Sequence, residues 1–106
     1  MPIILQNLFG NLPRSDGEAV LELLNAPNIR IERIVSTGQS SPEGFWYDQP
    51  QSEWVIVLRG AARLRIEPDE IVEMREGSFV NIPAHKRHRV EWTDPIQTTV
   101  WLAVHY

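Results

Sequence analysis

Cysteine is absent from the 106 residues, which excludes disulfides, thiolate metal ligands and a cysteine nucleophile. Any metal ion would have to be held by nitrogen and oxygen. Glycine is sparse, at six residues, and the sequence has no phosphate loop, no Gly-x-Gly-x-x-Gly stretch and no Gly-x-Ser-x-Gly elbow. Nucleotide-dependent and serine-nucleophile chemistries therefore have no support. Long apolar runs are missing too: the longest are about five residues, far short of the roughly 20 that span a bilayer. An excess of positive charge is also lacking, with a net charge of -4. Arg59, Arg63 and Arg65 alternate and Lys86, Arg87 and Arg89 cluster, but acidic residues are interspersed among them, so neither nucleic acid nor membrane is expected as a partner. The opening residues, Met1-Pro2-Ile3-Ile4-Leu5-Gln6-Asn7, carry no positive stretch ahead of an apolar one and no cleavage pattern, and the expectation is a cytoplasmic protein without an export signal.

What is present is the composition of an ordered globular chain, 42% hydrophobic and 23% charged with four tryptophans. The length suits a single domain over 1–106 with one core. Residues 2 to 9 read as an edge strand or an extended arm. Ser15-Asp16-Gly17-Glu18 is a capping-box pattern, and Val20, Leu23 and Leu24 follow at a spacing of three and four. The pattern predicts one short helix at about 16–25, stopped by Asn25-Ala26-Pro27-Asn28.

From Ile29 the period changes to two, with Ile29, Ile31, Arg33 and Val35 on one face and Arg30, Glu32 and Ile34 on the other. Residues 37 to 44 are a turn-rich loop, and Phe45-Trp46-Tyr47 leads into a polar rim segment ending at Ser52. A strand at 53–59 meets Gly60 and is followed at once by another at 62–67, which reads as a hairpin. Further short strands are expected at 71–74, 78–82, 87–92 and 97–105. In the last, Val100, Leu102 and Val104 face opposite to Trp101, Ala103 and His105. Seven or eight short strands with turn signals between them predict an all-β sandwich or closed barrel.

Two stretches then stand out. Glu53-x6-Gly60 and Gly77-x5-Pro83-x4-His88 resemble the two motifs of the cupin superfamily, usually written G-x5-H-x-H-x3,4-E-x6-G and G-x5-P-x-G-x2-H-x3-N. The resemblance covers about residues 38–104. It implies a double-stranded β-helix, or jelly-roll barrel, with a divalent metal held in its mouth by two histidines and a glutamate from the first motif and one histidine from the second. Glu53 and His88 stand at the last two of those places. The first two differ, because the residues four and six before Glu53 are Gln49 and Tyr47, and those five and seven before it are Asp48 and Trp46. His85 stands where the family usually has glycine, and Trp92 where it has asparagine.

Amide and carboxylate oxygens can replace a lost imidazole at a hard or borderline ion. The resemblance thus implies a ligand set drawn from Asp48, Gln49, Glu53, His85 and His88 around zinc, nickel, iron or manganese, with Tyr47 as a proton donor. The expected activity is isomerase-, lyase- or dioxygenase-like on a small metabolite in the barrel mouth. The alternative is a non-catalytic ligand-binding or structural cupin whose metal site has degenerated. His105 reads as structural and the tryptophans as packing, although a pocket lined with several aromatics would favour flat or sugar-like ligands. A homodimer is expected, paired through the arm 2–9 and the strand 29–35.

Overall fold

The computed structural model describes residues 2–13 and 17–106. The two-residue alternation along the chain makes strands, and no helix occurs among the described residues. Eight strands follow one another: β1 Ala19–Ala26, β2 Ile29–Ser36, β3 Glu53–Arg59, β4 Ala62–Ile66, β5 Glu70–Met74, β6 Phe79–Ile82, β7 His88–Thr93 and β8 Thr99–His105. They form a five-stranded sheet in the order β1-β2-β8-β3-β6 and a three-stranded sheet in the order β5-β4-β7. Every pairing is antiparallel.

The helix expected at about 16–25 is not formed. Residues 19–26 are β1, and the Ser15 and Asp16 of the capping-box pattern lie outside the described residues. The physical cause is a hairpin: β1 pairs with β2 from Ala19↔Val35 to Ala26↔Ile29. Pro27 presets the corner and Asn28 takes a left-handed φ of 66°, so the stop signal read for a helix is a strand-to-strand turn. The register slips between Glu22 and Leu24. That bulge at Leu23 puts Leu21 and Leu24 on one face at a spacing of three, while Val20, grouped with Leu24 in the helix pattern, falls on the other. A bulged strand thereby imitates helical periodicity.

The expected hairpin across Gly60 is also absent. β3 and β4 belong to different sheets, and Gly60 is where the chain crosses between them. Its φ is +89°, and a Cβ there would lie 2.7 Å from the Thr99 Cα, so only glycine fits where the turn presses on β8. Residues 2 to 9 form an arm rather than a strand. Its base is held by Arg33, which is buried and donates from Nη1 to the carbonyls of Leu8 and Gly10, both at 3.0 Å. The Arg59 guanidinium covers the Phe9 ring at 3.9 Å.

The core lies between the two sheets. Val55, Val57, Trp101 and Ala103 from the larger sheet meet Ala62, Leu64, Ile66 and Met74 from the smaller, all less than a tenth exposed. Burying side chains of this kind stabilises by about 1.5–3 kcal/mol each. Toward the end where β3 and β7 begin and β8 ends, the inward positions turn polar, and the packing opens into a cavity.

Candidate active site

The cavity has a volume of about 190 Å³, below the roughly 300–1,000 Å³ of sites that take drug-sized ligands. Its apolar wall includes Val20, Ile34, Val55, Leu64, Ile82, Val90 and Trp101, and its polar groups are Glu18, Arg30, Glu32, Tyr47, Gln49, Glu53, His88 and His105. Strand register brings these together from across the chain. Glu53 at the start of β3 lies opposite His105 at the end of β8, and His105 lies opposite Arg30 of β2. His88 opens β7 in the other sheet. It is bridged to Tyr47 by two backbone hydrogen bonds, Tyr47 N–H to His88 O at 2.7 Å and His88 N–H to Tyr47 O at 3.1 Å. The Tyr47 ring stacks on the imidazole at 5.3 Å between centroids.

His88 Nδ1 lies 2.9 Å from the Lys86 carbonyl, which only accepts, so Nδ1 carries a proton and Nε2 faces Glu53 Oε1 at 3.5 Å. The Gln49 side-chain N–H donates to the same oxygen at 3.0 Å. Burial alone would push the Glu53 carboxyl up. The hydrogen bond to His88, the charges of His105 and His88 and the Gln49 amide outweigh it and hold the carboxyl below its ordinary value. Burial likewise pulls His88 down, but its bonds to Glu53 and the Lys86 carbonyl and the Glu53 charge win, and its pKa is raised.

A second carboxylate–imidazole pair stands on the larger sheet. His105 Nε2 meets Glu32 Oε1 at 2.9 Å, and Arg30 Nε lies 3.3 Å from Glu32 Oε2. His105 Nδ1 is buried without a hydrogen-bond partner among the described residues. Nearby, the Ser36 hydroxyl donates to Glu18 Oε2 at 3.1 Å and accepts from Trp101 Nε1 at 3.1 Å. Burial first, then the charge of Glu53, raise Glu18 despite the Ser36 bond. Tyr47 is raised by burial and by the charges of Glu18 and Glu53, so its phenol keeps its proton at neutral pH.

Two of the sequence-predicted residues lie elsewhere. Asp48 and His85 pair with each other, Oδ1 to Nδ1 at 2.9 Å, at a surface where their side chains are 51% and 69% exposed, and neither lines the cavity. His85 has a φ of 63°, the left-handed conformation that glycine adopts without cost. That conformation, with a backbone bond from His85 N–H to Gln49 O at 2.7 Å, fits the glycine of the motif and leaves the imidazole outside the cavity.

The family model for the cupin domain matches residues 32–105. The chain belongs to the cupin family. No curated protein matches it. Among solved structures, a proposed mannose-6-phosphate isomerase from Ralstonia eutropha is 48% identical, with 97% of each chain covered and a TM-score of 0.93. A cupin superfamily protein from Desulfitobacterium hafniense is 16% identical over 89% of this chain and 81% of that one, with a TM-score of 0.75. An RmlC-like cupin protein from Desulfovibrio desulfuricans is 16% identical over 97% and 96%, also at 0.75. The last two share the fold.

In this cupin, Tyr47, Gln49, Glu53 and His88, which stand at the places of the family's metal ligands, all line the cavity. At two of the four places, Tyr47 and Gln49, a motif imidazole is replaced. Among the described residues, no group of three or more His, Asp or Glu is arranged to hold a metal ion. The expected ligand set is split, with Gln49, Glu53 and His88 in the cavity wall and Asp48 and His85 at the surface. Glu53 Oε1 already takes the Gln49 N–H and faces His88. One carboxylate and one imidazole directed at each other do not fit a resident divalent ion, which wants four or more ligands.

Glu18, Arg30, Glu32 and His105 were missed as site residues. For three of them the signal was strand parity. His105 shares the face of Trp101 and Ala103, and Arg30 and Glu32 share the face of Ile34, so their positions point to the core side. Glu18 was hidden by the helix reading, in which it belonged to a cap.

Proposed function

We propose that this cupin is a small isomerase-type enzyme that binds a hydroxy-carbonyl metabolite in the barrel cavity and moves a proton on it by general acid–base catalysis. The observation that supports it is the buried Glu53–His88 pair with Tyr47 stacked on the imidazole. In its neutral form, with Nδ1 held protonated by the Lys86 carbonyl, His88 presents an unprotonated Nε2 that takes a proton from a carbon beside the ligand's carbonyl. The carbon's electron pair moves toward the carbonyl oxygen, where the un-ionised Tyr47 hydroxyl donates. Glu53 stabilises the imidazolium. The Tyr47 phenolate then takes the proton from the other hydroxyl of the enediol, whose oxygen becomes the new carbonyl, while the imidazolium returns its proton to the former carbonyl carbon, so that both side chains are restored. The donor set does not fit a resident metal, and no step passes through one. The isomerase name carried by the 48%-identical relative belongs to the same reaction class.

Solvent-deuterium incorporation into a panel of small aldoses and ketoses, followed by proton NMR, tests this. Wild type should label at least one compound, and His88→Gln and Tyr47→Phe should each slow labelling by about 100-fold or more. Labelling that survives both substitutions would sink the reading. The rival, a non-catalytic ligand-binding cupin, draws on the replacement of two motif histidines by Tyr47 and Gln49. It predicts a bound ligand without exchange.

The assembly we propose is a homodimer through β1. The pairing edge expected at 29–35 is interior, since β2 lies between β1 and β8, whereas β1 is an open edge. Val20, Leu21, Leu23 and Leu24 on it and Ile3, Ile4 and Leu5 on the arm are exposed. Apolar side chains left in water along an open strand edge favour pairing with a second copy. A monomeric mass by light scattering at micromolar concentration would overturn it.

A further inference from the structure

We propose that the cavity selects small uncharged, hydroxyl-bearing molecules and rejects phosphate esters. The proposal rests on the cavity's being the ligand site. Three carboxylates face it, from Glu18, Glu32 and Glu53, and each cationic or potentially cationic group in it is already opposite one of them. Arg30 Nε lies 3.3 Å from Glu32, His105 lies 2.9 Å from the same carboxylate, and His88 faces Glu53 at 3.5 Å. Glu18 is left over. Its hydrogen-bond partner is the neutral Ser36 hydroxyl, and no cation lies within ion-pairing distance of it among the described residues.

A phosphate group that approached any of these cations would therefore sit beside the carboxylate already opposite it. In a small, largely apolar enclosure that repulsion is not screened as it is in water. The same groups suit hydroxyls. Carboxylate oxygens accept from them, the Tyr47 hydroxyl and the Gln49 amide offer both donor and acceptor, and the faces of Tyr47 and Trp101 supply flat apolar surface. The volume of about 190 Å³ limits the ligand to a small molecule.

One scaffold in three charge states provides the test: D-mannose, D-mannose 6-phosphate and D-mannosamine, each added at equal millimolar concentration to labelled protein and followed by heteronuclear NMR. D-Mannose should shift the Trp101 indole N–H resonance and the amides of Val55 and Leu64, and the phosphate ester should leave them in place. Glu18→Gln should raise the ester's affinity by roughly tenfold as one uncompensated charge is removed. Binding of the ester to wild type as tightly as the free sugar would overturn the proposal. Preference for D-mannosamine would overturn the uncharged class in favour of an amine. If no sugar shifts a cavity resonance while the deuterium-labelling panel, extended to the phosphate esters of the same sugars, labels an ester, the ligand class proposed here is wrong and the acid–base reading stands. If labelling fails as well, both fall.

Discussion

Two carboxylate–imidazole pairs of this cupin, Asp48–His85 and Glu53–His88, join the same two stretches of chain, and they differ in nearly everything but composition. Asp48–His85 is the shorter, at 2.9 Å, with side chains half or more exposed. Glu53–His88 is longer, at 3.5 Å, with side chains 12% and 6% exposed. In water the attraction of the first pair is diluted and its geometry costs side-chain entropy, so an exposed pair contributes little. In the cavity wall each partner of the second has lost its water and depends on the other. Enclosure rather than proximity makes this pair chemically consequential, because with little water to screen it each group's proton affinity depends on its partner.

The comparison is broken most severely by His88→Ala. Removing one partner leaves a buried carboxylate without its counter-charge, and a loss of about 3–5 kcal/mol in urea unfolding is expected. A loss below about 1 kcal/mol would mean that the pair is not enclosed.

The pH dependence is the next largest effect. Glu53 is lowered from 4.5, so its contribution is present above that value and fades as pH falls through its folded pKa. His88 is raised from 6.5, so its contribution is complete below that value and is lost as pH rises through its folded pKa. The coupling energy of the pair, measured by a double-mutant cycle of Glu53→Gln and His88→Gln, should therefore be greatest between pH 4.5 and 6.5 and decline on both sides. A profile that is flat from pH 4 to 9 would contradict an ionised pair.

Metal content sharpens the contrast from another side. Plasma mass spectrometry of untagged protein purified without added metal should find far less than one transition ion per chain, both in wild type and in His88→Ala. Stoichiometric metal lost on substitution would restore the family's metal site. The smallest effect belongs to the exposed pair: Asp48→Asn or His85→Ala should change stability by no more than about 0.5 kcal/mol and leave deuterium labelling unaltered.

Much of this architecture was legible in the chain. Alternation from Ile29 onward gave the strands, and the spacing of Glu53, Gly60, Gly77, Pro83 and His88 gave the family, because both are local patterns that backbone geometry enforces. The N-terminal strand was not legible. The bulge at Leu23 gives β1 a spacing that a helix shares, and only pairing with β2 decides between them. Crossing at Gly60 was missed for a similar reason, since a glycine between two apolar runs marks a turn without saying which sheet follows. Half of the cavity's polar groups escaped notice because their significance comes from register. Glu32 and His105 are far apart in sequence, and neither motif nor composition pairs them until β2 is laid against β8. His85 was over-read, because nearness to His88 in sequence concealed the left-handed backbone that keeps its ring outside the cavity.

The most direct measurement is an NMR titration of the His88 imidazole in wild type and in Glu53→Gln. The account predicts a wild-type pKa above the ordinary 6.5 and a fall in the variant, where burial acts without the opposing carboxylate. A wild-type value at or below 6.5, or one that Glu53→Gln leaves unchanged, would contradict the carboxylate-stabilised imidazolium on which the proposed chemistry depends.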